Sequence, residues 1–141
     1  MERPSGITRP PDAGSQSFSI LIADDYGPWR DEVRFLLEDR PEWRPIYEAC
    51  DGAEAVEKAS SLQPDVIILD ISMPGLNGIE VAQHIGGVSP KSRIIFLSGH
   101  CDNEIIEAAM TTGAHAYVVK TNAGSQLVSA VHRCCNGMLL T

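Results

Sequence analysis

Val66-Ile67-Ile68-Leu69-Asp70-Ile71-Ser72-Met73-Pro74-Gly75 runs from four apolar residues, three of them β-branched, into a carboxylate and then a Pro-Gly pair. The apolar run reads as a strand buried in a parallel sheet, and Pro-Gly reads as the loop after it. An acid at the carboxyl end of such a strand stands where open α/β sheets place their ligands. A second stretch repeats the arrangement: Phe18-Ser19-Ile20-Leu21-Ile22-Ala23 leads directly into Asp24-Asp25. Three carboxylates at neighbouring strand ends repel one another, a cost that a cation or a proton relieves.

Around these stretches the chain alternates strand and helix five times. Strands are expected at about residues 17–23, 44–49, 65–69, 93–97 and 115–119. The first helix tolerates Pro28 in its first turn, carries Trp29, Val33, Leu36 and Leu37 on one face, and is limited by Pro41. Pro45 assigns the second strand to a sheet edge, because proline cannot donate to the ladder. Asp51, with Glu54 three residues on, reads as the cap of a second helix that buries Ala55, Val56, Ala59 and Leu62. The third helix, about 77–85, is expected to stop at Gly86-Gly87 and the fourth to run from Asp102 to Gly113. The fifth, about 123–135, turns Leu127, Ala130, Val131 and Cys134 inward. Such alternation predicts a doubly wound α/β fold, a parallel sheet with right-handed crossovers and helices on both faces. With the second strand at an edge, the order is 2-1-3-4-5. The switch point then lies between the strands that end in Asp24-Asp25 and in Asp70.

A length of 141 residues suits one domain. The net charge of −8 argues against direct nucleic-acid binding, which relies on Lys and Arg. No apolar run approaches the roughly 20 residues of a membrane span. The N-terminus has no apolar leader segment, so a cytoplasmic location is expected. Residues 1–17 read as a disordered Pro-, Gly- and Ser-containing tail, 18–137 as the domain and 138–141 as the start of a linker. Cys50, Cys101, Cys134 and Cys135 form no C-x-x-C pair and read as reduced thiols. His84, His100, His115 and His132 lack metal-ligand spacing.

The strand ends deliver Asp24, Asp25, Asp70, Ser98 and Lys120 to one rim. Hard oxygen donors suit Mg²⁺, and a carboxylate can act as a nucleophile that forms an aspartyl phosphate. The charge of a transferred phosphoryl group can be met by Mg²⁺, by the Lys120 ammonium and by the Ser98 hydroxyl. Taken singly, each acid is a turn former, Lys120 a solvated lysine and Ser98 a helix cap. Their joint arrival favours the chemical reading.

These residues belong to segments that resemble the response-regulator receiver family of two-component signalling. The segments are Ile22-Ala23-Asp24-Asp25, Asp51-Gly52-Ala53-Glu54-Ala55, Asp65-Val66-Ile67-Ile68-Leu69-Asp70, Met73-Pro74-Gly75-Leu76-Asn77-Gly78 and Gly113-Ala114-His115-Ala116-Tyr117-Val118-Val119-Lys120. The likeness covers about residues 18–137 and is greatest to receivers that precede a LuxR-type helix-turn-helix domain. It implies a flavodoxin-like (βα)5 receiver fold with Asp70 as the phosphoacceptor. It implies Asp24, Asp25 and Asp70 as Mg²⁺ carboxylates, joined by the Ser72 backbone carbonyl. Ser98 and Tyr117 resemble the hydroxyl and the aromatic ring that move together on phosphorylation. Ser72 and His100 occupy positions that tune phosphoryl lifetime in the family; His100 either meets the attacking water or is a passive loop residue. The implied phosphodonor is a sensor histidine kinase. The implied output surface, about residues 102–137, is also a candidate homodimer contact. Such a chain is a signalling domain whose only catalysis is its own phosphoryl transfer and autodephosphorylation, either standing alone or as part of a transcription regulator.

One departure is Thr121, where many relatives carry proline, which leaves the isomer of the Lys120–Thr121 peptide open. Cys101, beside the site, has no cationic neighbour in sequence to activate its thiol for redox gating. The alternatives are a phosphorylation-independent interaction domain and an Asp-nucleophile phosphohydrolase. The intact set of five polar residues argues against the first. Ser72, standing where such hydrolases want a second acid, argues against the other. A nucleotide binder on this fold lacks its G-x-G-x-x-G or P-loop.

Overall fold

The structure is a computed structural model that describes residues 17–139. Apart from Ser17, the expected N-terminal tail lies outside the described residues, as do positions 140 and 141 of the expected linker. In chain order the elements are β1 (Ile20–Ala23), α1 (Gly27–Leu37), β2 (Ile46–Ala49), α2 (Gly52–Leu62) and β3 (Val66–Leu69). There follow α3 (Gly78–Val88), β4 (Arg93–Ser98), α4 (Asn103–Met110), β5 (Ala116–Val119), a 3-10 turn at Lys120–Asn122, and α5 (Ala123–Leu139). The strands form one parallel sheet in the order β2-β1-β3-β4-β5, the doubly wound arrangement that the alternation predicts.

The central strands are hydrophobic on both faces because helices cover both. Successive side chains alternate between the faces. Ile20, Ile22, Val66, Ile68, Ile95 and Leu97 pack with Val33 and Leu37 of α1 and with Leu127, Ala130 and Val131 of α5. Leu21, Ala23, Ile67, Leu69 and Phe96 pack on the other face with Ala55 and Ala59 of α2, Val81 and Ile85 of α3, and Ala109 of α4. Each fully buried Ile or Leu contributes about 1.5–3 kcal/mol, so the sheet core dominates the stability of the fold. Trp43 completes the first cluster and meets His132 edge-on, with ring centroids 4.9 Å apart.

Several boundaries differ from the sequence expectations. β1 starts at Ile20 rather than residue 17, because the Phe18 N–H donates to the Glu42 carbonyl before strand pairing begins. β2 is the edge strand, but Pro45 stands just before it and offers only its carbonyl, which accepts from the Ile20 N–H at 3.0 Å. α1 ends at Leu37, before Pro41 is reached. α3 does not stop at Gly86-Gly87; it runs to Val88, and the Ser89 N–H still donates to the Ile85 carbonyl. α4 is shorter than expected and ends at Met110. α5 passes Cys135 and makes Met138 helical, since Met138 packs against the first core cluster. Among the described residues the cis peptide is Arg44–Pro45, so Lys120–Thr121 is trans and Lys120 opens the 3-10 turn.

Candidate functional site

Strand register brings the polar residues together. Ala23 is paired with Leu69, so Asp24 and Asp70 each stand one residue beyond adjacent strand ends. Both still join the ladder through their backbones: the Asp24 N–H donates to the Ala49 carbonyl at 3.1 Å and the Asp70 N–H to the Ala23 carbonyl at 3.0 Å. Ser98 is paired with Val119, which puts Lys120 one step past it, just beyond β5. Asp24, Asp70 and Ser98 are 3, 5 and 0% exposed, whereas Asp25 is open to solvent.

Asp24, Asp25 and Asp70 each bring a carboxylate oxygen within 4.8 Å of the others. Lys120 enters this cluster from the 3-10 turn after β5. Its Nζ lies 2.8 Å from Asp24 Oδ2 and 3.3 Å from Asp70 Oδ2. Burial and the neighbouring Asp24 charge push the Asp70 carboxyl above its ordinary pKa, even though Lys120 and the Ser72 N–H oppose them. Burial alone would lower Lys120, but the Asp24 hydrogen bond and the Asp70 charge outweigh it and raise the ammonium pKa. The arrangement is therefore anionic, short of countercharge and rich in hard oxygen donors, a set that fits a divalent cation such as Mg²⁺.

His100 ties the rest of the rim together. Its N–H donates to Ser98 Oγ at 3.1 Å, and its carbonyl accepts from the Tyr117 hydroxyl at 2.8 Å. Its ring Nε2 lies 2.7 Å from Ser72 Oγ, while the Ser72 N–H donates to Asp70 Oδ1 at 3.3 Å. Burial raises the Tyr117 hydroxyl pKa, so it remains a protonated donor at neutral pH. Asp24, Asp25, Asp70 and Lys120 thus meet directly. Ser72, Ser98, His100 and Tyr117 form a second, hydrogen-bonded group beside them. Cys101 is exposed and, like the other three cysteines, free.

Three neighbours of the site were missed from sequence. Trp29 of α1 packs under Lys120, whose Nζ is 5.3 Å from the ring centroid. Arg30 Nη1 donates to the Asp24 carbonyl at 2.7 Å. Helical side chains lean toward the helix N-terminus, and that rule could have pointed both residues back at Asp24-Asp25. At Gly78 an added Cβ would collide with the Asp70 carbonyl oxygen, so glycine is what lets α3 begin against the loop after β3. Nothing in the sequence at Asn77-Gly78, where the helix is expected to start, signals that close approach.

The family model for the response regulator receiver domain matches residues 20–132. The nitrate/nitrite response regulator protein NarL of Escherichia coli K12 is 33% identical over 122 residues, covering 86% of this chain and 56% of that protein. The transcriptional regulatory protein DegU of Brevibacillus brevis is 34% identical over 112 residues, 79% of this chain and 48% of that protein. The chain therefore spans about half the length of these curated relatives. A LuxR-family two-component response regulator from Aurantimonas sp. SI85-9A1 superimposes with a TM-score of 0.81 at 30% identity, covering 86% of this chain and 87% of that one.

Proposed function

Because the chain belongs to the response-regulator receiver family, we propose that Asp70 accepts a phosphoryl group from the phosphohistidine of a sensor kinase and switches the surface of α4, β5 and α5. Receiver domains are signalling domains that sensor kinases phosphorylate and that bind Mg²⁺ at an acidic cluster. In this chain Asp24, Asp25, Asp70 and the Ser72 carbonyl would hold the ion, which when bound offsets negative charge on the phosphoryl oxygens.

The chain's own residues supply the remaining steps. An Asp70 carboxylate oxygen attacks phosphorus as the P–N bond to the donor imidazole breaks. The raised basicity of Asp70 favours attack, while Lys120 favours the ionised carboxylate and stands ready to pair with a phosphoryl oxygen. Ser98 Oγ accepts the His100 N–H and retains a hydroxyl proton that it can turn toward another phosphoryl oxygen. Drawing Ser98 inward would strain that bond and, through the His100 carbonyl, loosen Tyr117. That coupling is the proposed path from charge to output surface. The same surface is the candidate homodimer contact, and the match to a transcriptional regulatory protein favours control of transcription as the output.

Lys120, shared between Asp24 and Asp70 beside the third carboxylate, is the observation that carries the reading. Intact-mass measurement after incubation with acetyl phosphate and Mg²⁺ tests it. The expected result is one labile phosphoryl adduct on the wild type and none on Asp70→Asn. An adduct on Asp70→Asn would overturn the assignment of Asp70.

A further inference from the structure

We propose that Arg30 is a positioning residue for the divalent-cation site, holding the Asp24–Asp25 peptide in the orientation that lets both carboxylates face one ion; this rests on the reading of the acidic cluster given above. Arg30 sits in the first turn of α1, and its guanidinium grips two elements at once. Nη1 donates to the Asp24 carbonyl at 2.7 Å, and Nε pairs with Glu48 Oε1 of β2 at 3.0 Å. The planar fork of arginine makes both contacts without bending, which a lysine cannot do. Glu48 is itself fixed. Arg34, one turn further along α1, pairs with its other oxygen at 2.8 Å and donates through Nη2 to the Ile46 carbonyl.

The Asp24 carbonyl belongs to the peptide that joins the two acids, so its direction sets how each side chain leaves the backbone. Two hydrogen bonds pin this corner: Arg30 holds the Asp24 carbonyl, and the Tyr26 N–H holds Asp24 Oδ1 at 2.9 Å. Asp25 is exposed, so the aim of its carboxylate depends on the backbone beneath it. The contact is not needed to seat α1 on the sheet, because Val33 and Leu37 already do that from the core. Electrostatics makes the idea testable by sign. As a mere charge, Arg30 repels a cation, so its removal would tighten Mg²⁺ binding. As a positioning group, its removal weakens binding, as loss of groups that orient metal ligands does.

The experiment is calorimetric titration of the full chain with MgCl₂, for wild type, Arg30→Gln, Arg30→Lys and Arg34→Gln, with melting curves in chelator alongside. Arg30→Gln is expected to raise the Mg²⁺ Kd about tenfold. Arg30→Lys, which keeps the charge but not the fork, should also weaken binding. Arg34→Gln loses a Glu48 pairing but no contact with Asp24, and should stay within about twofold of wild type while melting much as Arg30→Gln does. Binding by Arg30→Gln as tight as wild type or tighter, or an equal loss in Arg34→Gln, would reduce Arg30 to a tie between α1 and β2. Should Arg30→Gln fail to fold, Arg30→Lys against Arg34→Gln makes the same comparison. A wild type that binds no Mg²⁺ would overturn the reading of the acidic cluster and this inference with it.

Discussion

His100 touches three residues of the site with three different groups, and only its ring is specific to histidine. The N–H to Ser98 and the carbonyl to Tyr117 would survive in any residue but proline, while the 2.7 Å contact with Ser72 would not. That contact joins the loop after β3, which begins with Asp70, to the loop after β4. If Asp70 carries a phosphoryl group as proposed, a side chain anchored there would restrict the approach of water to it, as closed active sites do. His100→Ala is therefore expected to hydrolyse its phosphoryl group about 3- to 10-fold faster, on the scale of a modest change in transition-state access. Ser72→Ala cuts the same link and should give a similar acceleration, with the double variant no faster than either single one. Decay of the phosphorylated mass over time after removal of the phosphodonor measures all three. Unchanged decay in His100→Ala would make the ring a passive loop residue. The residue numbers of this contact were legible in the sequence, but the bond was not, because 28 residues separate its partners.

At the scale of elements, buried apolar runs announce the strands well, because a strand covered on both faces has little choice of residue. Val66–Leu69 and Ile20–Ala23 are fully buried as expected, and Asp51 caps α2 by accepting from the Glu54 N–H at 2.8 Å. Helix ends were less legible, since tertiary contacts decide them. Gly86 and Gly87 read as a stop, yet α3 continues because buried Ile85 and Ser89 hold its last turn. Ser89 Oγ lies 2.6 Å from Ser92 Oγ and donates to Gln63 Oε1 at 3.3 Å. Two helical glycines kept in this way carry an entropic cost with no steric purpose, because an added Cβ at either meets nothing within 4 Å. Gly87→Ala should thus stabilise the fold by about 0.5–1 kcal/mol. Gly78→Ala, in the same helix, should destabilise it by about 1–3 kcal/mol, since the Asp70 carbonyl must move aside. Urea denaturation of the two variants compares them directly, and a Gly87→Ala that unfolds earlier than wild type would contradict the argument.

For the whole molecule, the site is a source of instability within a well-packed sheet. The convergence of Asp24, Asp25, Asp70 and Lys120 could be read in advance because each follows directly on an apolar strand. Their mutual repulsion could be read as well, but the burial of Asp24 and Asp70 that deepens it could not. Asp70 has a raised pKa in the fold, from burial first and the Asp24 charge second, against an ordinary value of 3.8. The folded state therefore holds the Asp70 proton more tightly than the unfolded state does. Stability from this group accordingly falls as pH rises from the ordinary value through the raised one. Asp70→Asn removes the penalty while Lys120 keeps its 2.8 Å pairing with Asp24. At pH 7 the variant should therefore be more stable than wild type, by on the order of 1 kcal/mol, as functional sites often allow. The difference should shrink toward zero as pH falls below the ordinary carboxylate range, where Asp70 is protonated in both states. Saturating Mg²⁺ should narrow the gap at pH 7 from the other side, by stabilising the wild type through binding to the folded state. Melting curves of both proteins at pH 7 and about pH 3, with and without Mg²⁺, test the whole chain of reasoning. If Asp70→Asn melts below wild type at pH 7 without Mg²⁺, the crowded carboxylates are not the strained element of this fold, and Lys120 relieves them more fully than its position suggests.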